Sequence, residues 1–85
     1  MKITLRFFAS VREQLGTSQE TLTLPAGVDT VGAVRRLLQG RGGVWASALG
    51  EDKSLRMAVN HGMCEPDTSI ADGAEVAFFP PVTGG

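Results

Sequence analysis

The sequence predicts a single two-layer α+β domain, in which one main helix covers one face of a mixed sheet of four to five strands. Two segments, residues 2–8 and 19–24, alternate apolar and polar residues with a two-residue period, which is typical of strands with one buried face. Residues 55–60 and 75–79 set apolar residues in step at the same spacing. A sustained apolar stripe at helical spacing occurs in one segment. The 85 residues leave room for one core, and one helix of this length can cover only one face of such a sheet.

The predicted strands span residues 2–8, 19–24, 55–60, a short edge segment near 63–64, and 75–79. In the first strand Ile3, Leu5 and Phe7 share one face, which leaves Phe8 on the opposite face. In the last strand Val76 and Phe78 share one face, which leaves Ala77 and Phe79 on the other. Grouping of these strands around one main helix, with both chain ends on central strands, favours a β-grasp topology.

Two short helical turns are predicted beside the main helix. Ser10 and Glu13 have the spacing of a capping box, and Gly16 is expected to end the turn that they begin. A second turn, around Trp45, is expected to pack under the sheet.

The main helix is predicted to begin at Thr30, whose hydroxyl can cap it. Its apolar stripe consists of Val31, Val34, Leu37 and Leu38. On the other side, Arg35 and the polar residues near it are expected to face solvent. Gly40 is expected to end the helix in the left-handed conformation.

Composition excludes several classes of partner. Eight Lys and Arg residues against nine Asp and Glu residues give a net charge of −1, and the arginines are scattered, so nucleic acid is not an expected partner. No apolar stretch approaches the roughly 20 residues that cross a bilayer, so no membrane partner is expected. The single cysteine, Cys64, excludes an internal disulfide, and we expect a cytoplasmic protein.

No group of side chains predicts catalysis. Cys64 and His61 lie close in sequence, but no third residue is available to orient the histidine, so an ordinary semi-buried cysteine and a loop histidine are expected. One cysteine and one histidine do not make a metal site. Gly40, Gly42 and Gly43 lack the Gly-Lys-Ser/Thr ending of a phosphate-binding loop. We therefore expect neither a metal nor a bound cofactor.

The C-terminal end carries the informative pattern. Pro80-Pro81 cannot donate ladder hydrogen bonds, so the sheet must stop there, and we expect a domain of residues 1–81 followed by a flexible tail of residues 82–85. The proline pair predicts an extended stem of roughly 3 Å per residue. Gly84-Gly85 adds no side chains to its tip, which can therefore enter a narrow channel. An unhindered glycyl carboxylate can be adenylated by a partner enzyme and can then accept sulfur, although a glycine end without any role remains an alternative.

Residues 73–85, Gly-Ala-Glu-Val-Ala-Phe-Phe-Pro-Pro-Val-Thr-Gly-Gly, closely resemble the C-terminus of the small, sulfur-carrying subunit of molybdopterin synthase. Residues 58–60 are similar to the third-strand signature of that family, and residues 7–13 are similar to its opening strand and turn. Ala74 departs from the pattern, because the family usually has an acidic residue there. That change bears on a turn rather than on the tail chemistry.

The resemblance implies a ubiquitin-like β-grasp and a cycle of sulfur delivery. An adenylating enzyme of the ubiquitin-activating type would use ATP to activate Gly85, and a sulfurtransferase system would convert the adenylate to a thiocarboxylate. The large catalytic subunit of molybdopterin synthase would then take the sulfur for cyclic pyranopterin monophosphate. The family assembly is a heterotetramer. The chain itself would bind no cofactor and would not be catalytic alone.

Two exposed phenylalanines are predicted beside the tail, because the first and last strands of a β-grasp are neighbours. Such a patch is typical of a partner surface. The predicted interface consists of Phe8, Arg12, Phe79, Pro80, Pro81, Val82 and Thr83. Three other functions remain open: a sulfur carrier for thiamine synthesis or tRNA thiolation, a ubiquitin-like protein modifier, and an interaction domain with an inert tail.

Overall fold

The computed structural model describes residues 1–81, which form a five-stranded sheet and three helices. The elements are β1 (Lys2–Phe7), α1 (Ala9–Leu15), β2 (Gln19–Thr23), α2 (Val31–Gln39), α3 (Gly43–Ala48), β3 (Arg56–Val59), β4 (Gly62–Met63) and β5 (Glu75–Phe79). All the predicted strands are present, with ends that differ by at most one residue from those predicted. None of the helices in residues 1–81 is long and apolar enough to cross a membrane.

The strand order is β2-β1-β5-β3-β4, with β1 and β5 parallel at the centre and the other pairs antiparallel. A parallel pair needs a long crossover connection, and the intervening helices supply it. This mixed sheet has the predicted β-grasp topology. Since β5 runs parallel to its neighbour β1, the chain leaves the sheet beside the C-terminal end of β1.

The core lies between the sheet and the helices. The alternating residues of the two central strands are fully buried: Ile3, Leu5, Phe7, Val76 and Phe78. The ring of Phe7 packs edge-on against Trp45, with 5.7 Å between centroids, and stacks against Phe78. The strand faces predicted from the alternation are therefore confirmed, and the turn around Trp45 is the helix α3.

The capping box predicted at Ser10 is wrong. Helix α1 begins at Ala9, with Phe8 as an extended N-cap residue and no side-chain cap. The reason is that the backbone N–H of Phe8 still bonds the carbonyl of Phe78 on β5, so the strand leads directly into the helix and Ser10 falls inside its first turn. Gly16 ends α1 in the left-handed conformation with φ of 74°, as predicted.

Helix α2 begins as predicted and ends differently. The hydroxyl of Thr30 accepts a hydrogen bond from the N–H of Ala33 at 3.2 Å. Gly40, however, keeps a right-handed φ of −63°, and helical turns continue as the N–H of Gly42 bonds the carbonyl of Gln39. The first positive φ after the helix is 76° at Gly42, just before α3, and its ψ of −174° is not that of a left-handed helical residue.

Arg35 is buried, which corrects its predicted place in solvent. Only 8% of the residue is exposed, and its guanidinium donates hydrogen bonds to the carbonyls of Leu49, Gly50 and Lys53. The segment after α3 packs over α2 and turns these carbonyls inward. A buried guanidinium needs acceptors for its N–H groups, and these three carbonyls supply them.

A charged pair joins β2 to the α2–α3 connection. The Nη1 atom of Arg41 donates to Oε1 of Glu20 at 2.9 Å, and the guanidinium lies 4.3 Å from the ring centroid of Trp45. The hydrogen bond from Arg41 holds the pKa of Glu20 below its ordinary value. The pair therefore stabilises the fold at neutral pH more than in acid.

Replacing Glu20 with Gln is expected to flatten the acid dependence of stability. Because the folded-state pKa of Glu20 lies below its unfolded value, its contribution is present above the unfolded pKa of about 4.3 and is lost as pH falls through the folded pKa. Thermal melts at several pH values should show a smaller decline for E20Q than for wild type. Glu13→Gln, at an exposed site on α1, is the control, and equal declines for all three proteins would contradict the expectation.

Candidate functional site

The uncovered side of the sheet carries an aromatic pair beside the end of β5. The register sets Phe7 opposite Phe78, so Phe8 and Phe79 follow as neighbours on the other side of the sheet. Their rings meet edge-to-face with 6.4 Å between centroids. Phe8 is 39% exposed and Phe79 is half-buried. The structure thus brings together the two phenylalanines that the sequence predicted for this side.

A second row of side chains runs across the sheet beside this pair. The register aligns Arg6 with Ala77, Ala77 with Ala58, and Ala58 with Met63. Both alanines are 7% exposed because longer side chains flank them, whereas Met63 is 63% exposed. The two alanines thus form a shallow apolar surface between the guanidinium of Arg6 and the thioether of Met63. Together with Arg56, which lies opposite Phe79, these residues form what we term the open face: Arg6, Phe8, Arg56, Ala58, Met63, Ala77 and Phe79.

Polar residues border the open face at the end of the sheet where β5 begins. The backbone N–H of Asn60 bonds the carbonyl of Glu75 at 2.8 Å, and the side-chain oxygen of Asn60 accepts from the N–H of Glu75 at 2.9 Å. The carboxylate of Glu75 lies 3.7 Å from Nη1 of Arg6 and 3.3 Å from Nε2 of His61. Glu75 is thus held between two basic groups.

The other predicted interface residues lie around the aromatic pair. Arg12 is exposed on α1, where its N–H bonds the carbonyl of Phe8 at 3.3 Å. Pro80 and Pro81 are half-buried and follow Phe79 directly. The predicted residues Val82, Thr83, Gly84 and Gly85 lie outside the described residues. A role for any of these residues in binding stays a prediction.

The predicted interface includes two of the seven residues of the open face, Phe8 and Phe79. The five that it missed are Arg6, Arg56, Ala58, Met63 and Ala77. Met63 was predicted only to belong to an edge strand. The face of Met63 could have been predicted from Cys64. Neighbouring residues of a strand point to opposite faces. Cys64 packs against the core, so Met63 points to the open face. Ala58 and Arg56 join the face through the register between β3 and β5, which no local pattern reveals.

The remaining candidates for side-chain chemistry are not arranged for it. Burial raises the pKa of the Cys64 thiol, which disfavours the nucleophilic thiolate. His61 is exposed and faces Glu75. Within residues 1–81, no group of three or more His, Cys, Asp or Glu side chains could hold a metal ion.

Comparison with known proteins identifies relatives along the whole chain. A model of the ThiS family matches residues 5–85. The molybdopterin synthase sulfur carrier subunit of Escherichia coli (strain K12) is 46% identical over 83 residues, which cover 98% of this chain and 99% of that protein. Small archaeal modifier protein 3 of Haloferax volcanii is 36% identical over 97 residues, which cover all of both chains.

Solved structures show the same fold. The solution structure of the Haloferax volcanii HVO 2177 protein is 32% identical, with a TM-score of 0.80 over 100% of this chain and 87% of that one. A chain from the protein–protein complex of subunits 1 and 2 of the molybdopterin-converting factor of Helicobacter pylori 26695 is 22% identical, with a TM-score of 0.67 over 100% of both chains. These likenesses confirm the ubiquitin-like β-grasp.

Proposed function

Because the chain belongs to the ThiS family, we propose that it is a sulfur carrier for molybdopterin in molybdenum cofactor biosynthesis. One observation carries the proposal: the 46% identity to a molybdopterin synthase sulfur carrier extends over 98% of this chain. The family match also runs through Gly84-Gly85. The reactive group is therefore the carboxyl group of Gly85, and the folded domain carries that group to the partner enzymes.

Two partner enzymes would make the chemistry possible. In the first step an oxygen of the Gly85 carboxylate attacks the α-phosphate of ATP on an adenylating enzyme, and pyrophosphate leaves. A persulfide of the sulfur donor then displaces AMP from the acyl-adenylate and forms an acyl disulfide. A thiol attacks the donor's sulfur in that disulfide, so that thiol and donor form a disulfide and the thiocarboxylate of Gly85 leaves. In the large synthase subunit that sulfur passes to cyclic pyranopterin monophosphate, and an oxygen atom from water restores the carboxylate. ATP is bound by the partner, and this chain needs no catalytic side chain.

The open face is the proposed docking surface for these partners. Phe8 and Phe79 supply an aromatic centre, and aromatic residues buried at a partner's surface contribute most of the binding energy in many interfaces. Arg12 flanks this centre, and Pro80 and Pro81 connect it to the tail. Docking here would aim Val82, Thr83 and Gly84-Gly85 at the partner's active site. We propose a heterotetramer with the large subunit, acting in the cytoplasm.

The mass of the protein purified from its own cells tests the proposed function. A fraction of the molecules should be heavier by the difference between a sulfur and an oxygen atom, and the difference should map to Gly85. Mixing this fraction with the large synthase subunit and cyclic pyranopterin monophosphate should produce molybdopterin and remove the extra mass. A thiocarboxylated protein that yields no molybdopterin would instead indicate a carrier for thiamine synthesis or tRNA thiolation.

A second candidate function is protein modification. It is favoured by the full-length similarity to small archaeal modifier protein 3, and the same Gly85 adenylate could be attacked by a lysine amine. The product would be an isopeptide bond and a ladder of conjugates in cell extracts. Such a ladder, absent from cells whose protein lacks Gly85, would support modification.

Replacing Phe8 with Ala is expected to weaken binding to the large subunit far more than folding. Loss of a central aromatic contact typically costs about 2 kcal/mol, or roughly 30-fold in Kd. Phe8 is already 39% exposed, so its truncation should lower the free energy of unfolding by only about 1 kcal/mol. Titration calorimetry and denaturant melts measure the two effects.

Val44→Ala is the matched control, because Val44 is an equally exposed apolar residue on helix α3. It should leave the affinity unchanged. The assignment of Phe8 to the interface would be wrong if F8A lowered stability strongly while its affinity stayed equal to that of V44A.

A further inference from the structure

Two arginines flank the aromatic centre of the open face on opposite sides. The guanidinium carbon of Arg6 lies 5.3 Å from the centroid of the Phe8 ring. Arg56 lies opposite Phe79 in the register of β3 and β5, and it is exposed. We call Arg6 and Arg56 the cationic rim. The whole chain carries a net charge of −1, so this rim is a local reversal of sign.

The guanidinium of Arg6 retains unused hydrogen-bonding capacity. Its neighbour Glu75 approaches to 3.7 Å, which is too long for a hydrogen bond. The Nε atom of Arg6 is buried, but 34% of the side chain is exposed, so the terminal Nη atoms are the donors that an approaching surface can reach. A guanidinium offers five donors in a planar fork that matches a carboxylate. Arg6 is therefore able to accept a carboxylate from outside the chain.

Arg56 has the same capacity at the other side of the pair. It makes no ion pair with any residue from 1 to 81. Ala58 and Ala77 lie beside it on the same face, where longer side chains cover them to 7% exposure, whereas Arg56 itself is exposed. Arginine and aromatic residues are the types enriched in protein interfaces. A phosphate backbone is a poorer fit, because the Glu75 carboxylate lies on the same side of the sheet.

We propose that the open face binds a protein surface of complementary charge, with an apolar centre over Phe8 and Phe79 and carboxylates facing Arg6 and Arg56. This inference rests on the proposed function, in which that surface belongs to the large synthase subunit. Exposed rim charges act mainly on the rate of encounter and on its salt dependence. The cationic rim would thus steer the carrier into an orientation that presents its tail.

Association rates at increasing NaCl test this proposal. The proteins are wild type, the double variant R6Q/R56Q and the matched control R36Q/K53Q, which removes two exposed charges outside the open face. Each is mixed in stopped flow with the large synthase subunit from the same organism. The wild-type rate should fall steeply as the Debye length shrinks from about 30 Å in dilute salt to about 8 Å at physiological strength. At low salt R6Q/R56Q should associate about tenfold more slowly and depend less on salt, while the control should follow wild type.

Equal rates and equal salt dependence for R6Q/R56Q and R36Q/K53Q would overturn the proposal, as would a wild-type rate that ignores salt or no association at all. If the double variant fails to fold, Arg56→Gln alone decides in the same way, because Arg56 is exposed. Sulfur transfer by thiocarboxylated wild type is measured separately. Failure of sulfur transfer would contradict the proposed function. If sulfur is transferred but R6Q/R56Q associates as fast as R36Q/K53Q, only the proposed role of the cationic rim is contradicted.

Discussion

Removal of Gly85 is expected to abolish sulfur loading and sulfur transfer without unfolding the domain. The shortened chain would end about 3.5 Å earlier, so its carboxylate would miss the position at which a partner aligns the α-phosphate of ATP. The core and the sheet lie within residues 1–81, so the free energy of unfolding should stay within about 0.5 kcal/mol of wild type. Pyrophosphate release on the adenylating enzyme and intact mass after loading measure the effect.

Gly85→Ala tests, in the same assays, whether loading is limited by the length of the chain or by the size of its last residue. This variant keeps the length of the chain and its terminal carboxylate, and it adds one methyl group at the tip. A narrow channel would slow loading of G85A strongly, whereas an open site would tolerate it. A protein lacking Gly85 that still acquired sulfur at the wild-type rate would show that the working group lies elsewhere.

The strand faces could be predicted because their signal is local. The alternation of Ile3, Leu5 and Phe7 with polar residues specifies which side of β1 is buried. In β5 the assignment of Val76 and Phe78 to the buried face, with the β-grasp order, is sufficient to bring Phe8 and Phe79 together. This part of the candidate site was therefore accessible from the sequence.

The rest of the open face depends on how β3 pairs with its two neighbours, β5 and β4. Arg56 meets Phe79, and Met63 meets Ala58, only through the registers of β3 with β5 and β4. Both registers follow from how the loops after α3 and β3 close. No residue pattern within a single strand specifies such a register. For the same reason, the sequence could indicate that Arg6 faces outward but not that it lies over the ring of Phe8.

The start of α1 and the burial of Arg35 on α2 were predicted wrongly for a different reason. Ser10 has the spacing of a cap, yet the β1 ladder extends to Phe8 and moves the start of α1. Arg35 follows the pattern of a solvent-facing residue, yet carbonyls from residues 49–53 surround its guanidinium. In both places a hydrogen-bonding partner from elsewhere in the fold overrides the local preference: the carbonyl of Phe78 for the start of α1, and the carbonyls after α3 for Arg35.

Replacing Arg35 with Met is expected to cost about 3 kcal/mol of unfolding free energy, the largest stability effect among these predictions. Methionine preserves the length of the side chain and removes every donor. The carbonyl of Leu49 would keep its bond from the side chain of Gln39 at 2.6 Å, and those of Gly50 and Lys53 would keep their bonds from the N–H groups of Lys53 and Leu55. All three would lose the charged donor, and with it the link between this segment and α2. The segment after α3 should loosen, and denaturant melts should show an earlier midpoint.

Arg36→Met is the control, because Arg36 is the next residue of the same helix and is exposed. The charge and the helix propensity change alike in the two variants, so any difference between them isolates the carbonyl hydrogen bonds. Hydrogen exchange at residues 49–55 should quicken in R35M and stay unchanged in R36M. Equal stability of the two variants would mean that water replaces the guanidinium without loss, and that the segment after α3 is held by the packing of Leu49 instead.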